Sequence, residues 1–327
     1  MSSQHRSDTR TGIQAGSRLR KADLHVHSNF SPDVPNLAIF SPRALYRRAV
    51  EEGMDFFALT DHDTIDGVEV LRRDLREEFG DHWPIPVITG VELKVLDPSI
   101  GHTIHINVLG LERRHLDALM TRRRSIGRFV AYCRRKGLFC AYNHPFWFEH
   151  GERPNLDAIE RLVRLIPVVE LNAGRIRELN HRTARLARKY RKPFVAASDT
   201  HTGQVGKAYT LAPGETPEAY LRNIMAGHVR VTASHFVLQD FLGEIRETID
   251  LALRGTPAKE LRESIGLELA RPYRIAQRIL TSSGLLQSAR ARRGLGRFLK
   301  VIARGPAHIF LRRQRRMVRR LGSSGYA

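Results

Sequence analysis

Six short segments place histidine or a carboxylate at or just past the end of an apolar run: Asp23-Leu24-His25-Val26-His27, Thr60-Asp61-His62-Asp63, Gly90-Val91-Glu92, Ile104-His105-Ile106, Asn143-His144-Pro145 and Ser198-Asp199-Thr200-His201. Imidazole nitrogens and carboxylate oxygens are the donors that divalent transition ions take. A His-x-His pair on a strand turns both rings to one side, because strand side chains repeat every two residues. One such pair is a weak signal in a chain with 15 histidines. Six segments in order are a strong one, and three of them carry two donors each: His25 with His27, Asp61 with His62, Asp199 with His201. Two neighbouring divalent ions repel each other and need a carboxylate between them, for which Glu92 and Asp199 are the candidates. The chemistry open to such a cluster is hydrolysis.

These segments are spread over more than half the chain, so no single loop can hold them. Strand-like runs at 22–27, 55–60, 86–91, 103–109, 138–142, 168–171 and 194–197 alternate with helical stretches. Ser41-Pro42 opens the first helix with an N-cap and a proline at its first position, and Gly53 closes it. Further helices are predicted over 64–79, 113–136, 155–165 and 176–190. The alternation predicts a parallel α/β protein. An open doubly wound sheet would carry a glycine-rich first turn, and none is present. A closed (β/α) barrel brings every strand end to one mouth, and so positions all six segments together.

With the spacing set out, the chain resembles the PHP (polymerase and histidinol phosphatase) superfamily over residues 22–235. The matching residues are His25-x-His27, Thr60-Asp61-His62-Asp63, Gly90-x-Glu92, His105, Asn143-His144-Pro145 and Asp199-x-His201. The resemblance implies a distorted seven-stranded (β/α) barrel, two or three divalent ions (Zn, Mn or Fe), and hydrolysis of phosphoesters. It implies His25, His27, Glu92 and Asp199 around a first ion, and a second ion shared through Glu92 with His105 and His144. A third would take His62 and His201, with Asp33 in the loop that follows Ser28-Asn29-Phe30-Ser31. His102 competes with His105 for its role; His105 is preferred because it lies within the apolar frame Ile104-His105-Ile106-Asn107-Val108. His201 and Asp63 are candidates for handling the proton of the leaving group, and equally for ligand and bystander.

Arg175 and Arg177 follow the strand at 168–171, where a guanidinium can clamp a phosphate or simply open a helix on the surface. Lys207, in the loop after His201, has a similar but smaller claim. The expected substrate is a phosphorylated small molecule, a nucleotide or an RNA end; 327 residues leave no room for a polymerase domain as well.

At this length, with 42% hydrophobic residues, the chain can bury one large core and carry an appendage. Its organisation is read as a flexible basic tail over 1–21, the metallophosphoesterase barrel over 22–241, and a basic, mainly helical extension over 242–327. The net charge is +20, and the extension holds 19 Lys/Arg against six Asp/Glu. Such a tail points to an anionic partner, nucleic acid or a membrane surface, unless its apolar stripe packs on the barrel and leaves the arginines in water. Interruptions are expected at Gly255-Thr256-Pro257, Ser282-Ser283-Gly284 and Gly305-Pro306. Every expected ligand lies before residue 202, so the extension is expected to be dispensable for hydrolysis of a small phosphoester. A barrel that keeps metals only for stability while the tail binds a partner is the alternative, disfavoured by the intact donor set. No apolar stretch approaches the roughly 20 residues of a membrane span. Cys133 and Cys140 alone, with no motif around them, fit reduced thiols in a cytoplasmic protein.

Overall fold

In this computed structural model, which describes residues 5–8, 17–149, 151–153, 155–255 and 288–323, ten strands join in one sheet. They are His5–Asp8 (β1), Leu19–Asp23 (β2), Phe56–Leu59 (β3), Val87–Val95 (β4), Ile104–Leu109 (β5), Phe139–Tyr142 (β6), Val168–Asn172 (β7), Phe194–Ala197 (β8), Tyr209–Pro213 (β9) and Arg230–Ala233 (β10). The order across the sheet is β1-β10-β9-β2-β3-β4-β5-β6-β7-β8. The seven strands expected from the sequence are β2 to β8, in chain order and side by side. Just past β2 and β8 the sheet curls back on itself: Asp199 N–H donates to His25 O at 2.9 Å, and His27 N–H to Thr200 O at 3.2 Å. The result is a nearly closed barrel.

Two features depart from a seven-stranded parallel barrel. First, β9, β10 and β1 extend the sheet by antiparallel pairing from the edge of β2, where Leu19 lies opposite Pro213. Strand structure therefore also occurs upstream of residue 22, where a flexible tail was expected. Second, β5 runs antiparallel to both β4 and β6. The cause is chain length: only residues 96–103 separate β4 from β5, and a parallel crossover needs a dozen residues or more. Because β5 is reversed, it begins at the mouth, and His105 reaches the site from the start of its strand rather than from its end.

Helices Pro42–Glu51 (α1), Asp66–Phe79 (α2), Arg113–Met120 (α3), Ile126–Lys136 (α4), Leu156–Leu165 (α5), Arg177–Lys189 (α6) and Pro217–Met225 (α7) lie between the strands. Ser41 Oγ accepts from Ala44 N–H at the start of α1, as its cap position predicts. The single helix expected over 113–136 is two. Its middle is drawn toward the β4–β5 loop, where Leu96 N–H donates to Arg123 O and Asp97 accepts from Ile126 N–H to cap α4. Strands β3, β6, β7 and β8 are buried along their whole length, in keeping with their near-continuous apolar runs.

The described part of the extension forms Leu238–Gly255 (α8), Ala289–Ile302 (α9) and Arg304–Ser323 (α10). The last break comes at Ala303, with Gly305-Pro306 in the first turn of α10. The break expected at Ser282-Ser283-Gly284 lies outside the described residues. Leu295 of α9 packs with Ala252 and Leu253 of α8. On α10, Leu321 joins the main core, and Phe310, Leu311, Met317 and Val318 pack against it. The apolar stripe of α10 is thus spent on the barrel, while Arg312, Arg315, Arg316 and Arg319 are exposed. No helix of the described residues is long and apolar enough to cross a membrane. Cys133 and Cys140 are both buried and free.

Candidate metal centre

The donor residues sit where strands stop and the backbone turns sharply. Asp63, His144 and Asp199 all take positive φ, at 55°, 30° and 53°, a region that non-glycine residues seldom occupy. Each is tied down: Asp199 N–H by His25 O, Asp63 N–H by Glu92 O, and His144 N–H by Glu170 Oε2 at 3.0 Å. The turns at His144 and Asp199 aim their side chains inward across the mouth.

Three groups of donor atoms result, each within 4.8 Å of one another: His25, His27, Glu92 and Asp199; Glu92, His105 and His144; and His27, His62 and His201. The hydrogen bonds behind the rings fix their tautomers. His25 Nδ1–H donates to Glu170 Oε1 at 2.6 Å. His27 Nδ1–H donates to Ser31 Oγ at 2.9 Å, and that hydroxyl donates onward to Asp61 Oδ1 at 3.1 Å. With both δ protons placed, the two Nε2 atoms face each other at 2.9 Å, lone pair against lone pair unless a cation lies between them. His201 repeats the pattern: its Nδ1–H donates to Asp199 O at 3.0 Å, leaving Nε2 at 3.0 Å from the Asp33 carboxylate. Glu92 Oε2 is buried with no hydrogen bond among the described residues, although ring nitrogens of His25, His27 and His62 stand 3.2, 3.3 and 3.1 Å away. A donor set that converges without satisfying itself fits divalent ions.

The electrostatics agree. Burial works against the charged form of His25, yet Glu92, Asp199 and Glu170 outweigh it and hold its pKa well above the usual value. His27 and His105 are raised to about 9 in the same way, against burial, by Asp199 and Glu92 and by Glu92 and Glu149 respectively. Burial would raise Glu92 and Asp199, but the surrounding imidazoles hold both well below the carboxylate range. The cluster therefore draws in positive charge, which protons or metal ions can supply.

The cluster opens on a cavity of about 280 Å³ lined by Asp33, His62, Glu92, His105, His144, Asp199 and His201 among others. Arg175 lines it too, buried, with its guanidinium 4.4 Å from the Trp147 ring centroid and Nη2 at 3.8 Å from Asp199. Among the described residues its Nε and Nη1 have no hydrogen-bond partner, an arrangement that costs about 1–3 kcal/mol per group unless a ligand relieves it. Lys207 also lines the cavity but is paired with Glu244 of α8. Arg177 is exposed at the start of α6 and does not line it. Asp63 is turned away: its Oδ1 accepts from Lys94 N–H at 3.2 Å and its Oδ2 is 3.8 Å from Arg123. That carboxylate braces the end of β4. His102 packs against Phe148 at 4.8 Å and belongs to none of the three donor groups.

Some of the site was missed in the sequence. Glu170 orients His25 and His144, and Asn172 bridges Glu170 and Asp199 with one amide at 3.0 and 2.9 Å. The signal was present: Glu170 is the lone charged residue in Val168-Val169-Glu170-Leu171-Asn172, a strand buried throughout. Asn143 donates to Glu92 Oε1 at 2.7 Å. Trp147, Phe236, Phe241 and Phe310 form one wall of the cavity, drawn from segments too far apart for any local pattern.

A nearly closed barrel of strands with clustered imidazoles and carboxylates at its mouth defines a metal-binding α/β barrel. The PHP domain model matches residues 23–210, more than half of the chain, and the chain belongs to the PHP domain family. It is 36% identical over 96 residues to a 5'-3' exoribonuclease of Haemophilus influenzae, covering 29% of this chain and 31% of that one. It is 31% identical over 90 residues to a phosphoribosyl 1,2-cyclic phosphate 1,2-diphosphodiesterase of Eggerthella lenta, covering 28% and 30%. The chain thus matches only about a third of the length of these relatives. Among solved structures, PsfC from Pseudomonas syringae aligns with a TM-score of 0.48 at 19% identity, over 66% of this chain and 92% of that one. The lesion-specific endonuclease PfuEndoQ from Pyrococcus furiosus aligns at 0.46 and 13%, over 86% and 90%.

Proposed function

We propose that the protein is a metal-dependent phosphoesterase that cleaves a phosphomonoester or a terminal phosphodiester. The observation that carries this is the convergence of buried donors around Glu92, whose Oε2 has no hydrogen bond among the described residues, with Arg175 Nε and Nη1 likewise without one on the same cavity. In this assignment His25, His27, Glu92 and Asp199 hold one divalent ion, and Glu92, His105 and His144 hold a second. His62 and His201, with Asp33, hold a third at the cavity's edge. When bound, such ions supply an activated water and neutralise phosphoryl oxygens.

The chain's own residues do the rest. Glu170 and Ser31 keep the protons of His25 and His27 on Nδ1, so both Nε2 atoms stay available. Arg175 presents Nε and Nη1 to the phosphoryl oxygens and so sets the orientation of phosphorus. His201 and Asp33, half open to solvent, stand where a proton is passed to the leaving oxygen. The aromatic wall gives the organic part of the substrate an apolar surface, which suits a nucleotide or an RNA end. The H. influenzae relative is itself named an exoribonuclease. The exposed arginines of α10 favour nucleic acid over a bilayer as the larger anionic partner, because the stripe that would enter lipid is packed on the barrel. The two buried free thiols fit a reducing, cytoplasmic setting.

The test is metal analysis of purified protein followed by a phosphate-release screen across phosphorylated metabolites, nucleotides and short RNAs. Bound divalent metal and turnover that stops with a chelator and returns with metal are expected. A metal-loaded protein inert on every phosphoester would overturn the reading and favour a non-catalytic barrel.

A further inference from the structure

Helix α10 lies about a hundred residues beyond the part of the chain that matches the family model, yet it reaches the loop that carries Arg175. Gln314 on α10 is buried. Its Oε1 accepts from Ile176 N–H at 2.8 Å, and its Nε2 donates to Gly174 O at 2.9 Å. One side-chain amide therefore grips the backbone on both sides of Arg175. Phe236 N–H donates to Arg175 O at 2.8 Å from a third side. One turn before Gln314, the Phe310 ring lies 5.5 Å from the Arg175 guanidinium, next to the Trp147 ring that lies at 4.4 Å; the two ring centroids are 5.7 Å apart, and both rings line the cavity.

We propose that α10 is a built-in part of the active site, with Gln314 the positioning residue that holds Arg175 toward the substrate phosphate and Phe310 a wall of the same cavity. A solvent-exposed arginine has many rotamers to lose on binding an anion; one clamped at its backbone and packed on two adjoining rings has lost most of them already. The amide is suited to the task because it accepts and donates at once, at a fixed span. An appendage that only solvated the protein would have no reason to bury a glutamine against the mouth. The inference rests on the reading of Arg175 as the phosphate clamp.

Full-length Gln314→Met, Gln314→Glu and Arg175→Ala proteins test it, loaded with the metal that the wild-type protein carries. Gln314→Met keeps the volume and loses both hydrogen bonds; Gln314→Glu keeps the acceptor and turns a carboxylate toward Gly174 O. The readouts are KM and kcat on p-nitrophenyl phosphate, inorganic phosphate affinity by calorimetry, metal content and melting temperature. Both Gln314 variants are expected to raise KM and weaken phosphate binding about tenfold, the scale of one lost charge-assisted contact, with kcat and metal content near wild type. If Arg175→Ala loses phosphate affinity while both Gln314 variants bind as wild type, the inference fails and the clamp stands. If Arg175→Ala binds phosphate as wild type does, the clamp itself is wrong. If both Gln314 variants fail to fold while Arg175→Ala folds, α10 serves the barrel's stability and the positioning role is overturned.

Discussion

The Nε2 atoms of His25 and His27 stand 2.9 Å apart, each with its ring's other nitrogen already donating, to Glu170 and to Ser31. Replacing either ring removes a fully buried donor from the group they form with Glu92 and Asp199. His25→Ala and Asp199→Ala are expected to lose metal and to abolish hydrolysis while the far-ultraviolet circular dichroism stays that of the wild type. Wild-type metal content and turnover in either variant would remove the assignment of this group.

Glu170 touches no expected metal position and acts through His25 and the His144 backbone. Glu170→Gln keeps the shape but weakens the hold on the imidazole proton. Metal affinity should fall roughly 10–100-fold, the usual cost of losing a carboxylate behind a ligating histidine. Titration with a competing chelator measures it.

His102 and His105 should separate cleanly. His102→Ala removes a ring packed on Phe148 and is expected to cost about 1–3 kcal/mol of stability with turnover retained. His105→Ala removes a ring 3.4 Å from Glu92 and should cost turnover first. Denaturant melts alongside kinetics decide the pair, and the reverse order would exchange their roles.

Chelation should destabilise the fold as well as silence it. A metal present at a hundredfold its dissociation constant adds about 2.7 kcal/mol to the folded state. Melting temperature is therefore expected to drop by several degrees with chelator and to recover on adding the metal back. An unchanged melt would mean that the donors close on themselves when empty.

With every donor before residue 202, the extension was expected to be dispensable for a small substrate. The roles proposed for Phe310 and Gln314 predict the opposite. Deleting 271–327 should weaken turnover of a small phosphoester, and a truncated protein as active as the full chain would restore the earlier view.

The strand ends were legible because each donor breaks an apolar run, and periodicity registers such breaks. The reversal of β5 was legible in principle, since residues 96–103 are too few for a crossover, but the alternation of apolar runs carries no direction. Arg175 and Arg177 look alike in sequence. Only the fold shows that one faces the cavity and the other begins a helix in water. Asp63 sits in the same tetrapeptide as His62 and points elsewhere, because its left-handed backbone turns the side chain toward β4. The aromatic wall and Gln314 depend on contacts between distant segments, which no window on the sequence contains.

The barrel's seam is sewn by Asp199 to His25 and by His27 to Thr200, so three of the four stitching residues are also expected ligands. An ion bound there would act as a clasp on the cylinder, and emptying it would let the staves part at one joint while the others stay paired. The amide protons of His27 and Asp199 should then exchange with solvent faster in chelated protein than those of β3. In that event the closure of the sheet, as well as its chemistry, would rise and fall with the supply of metal.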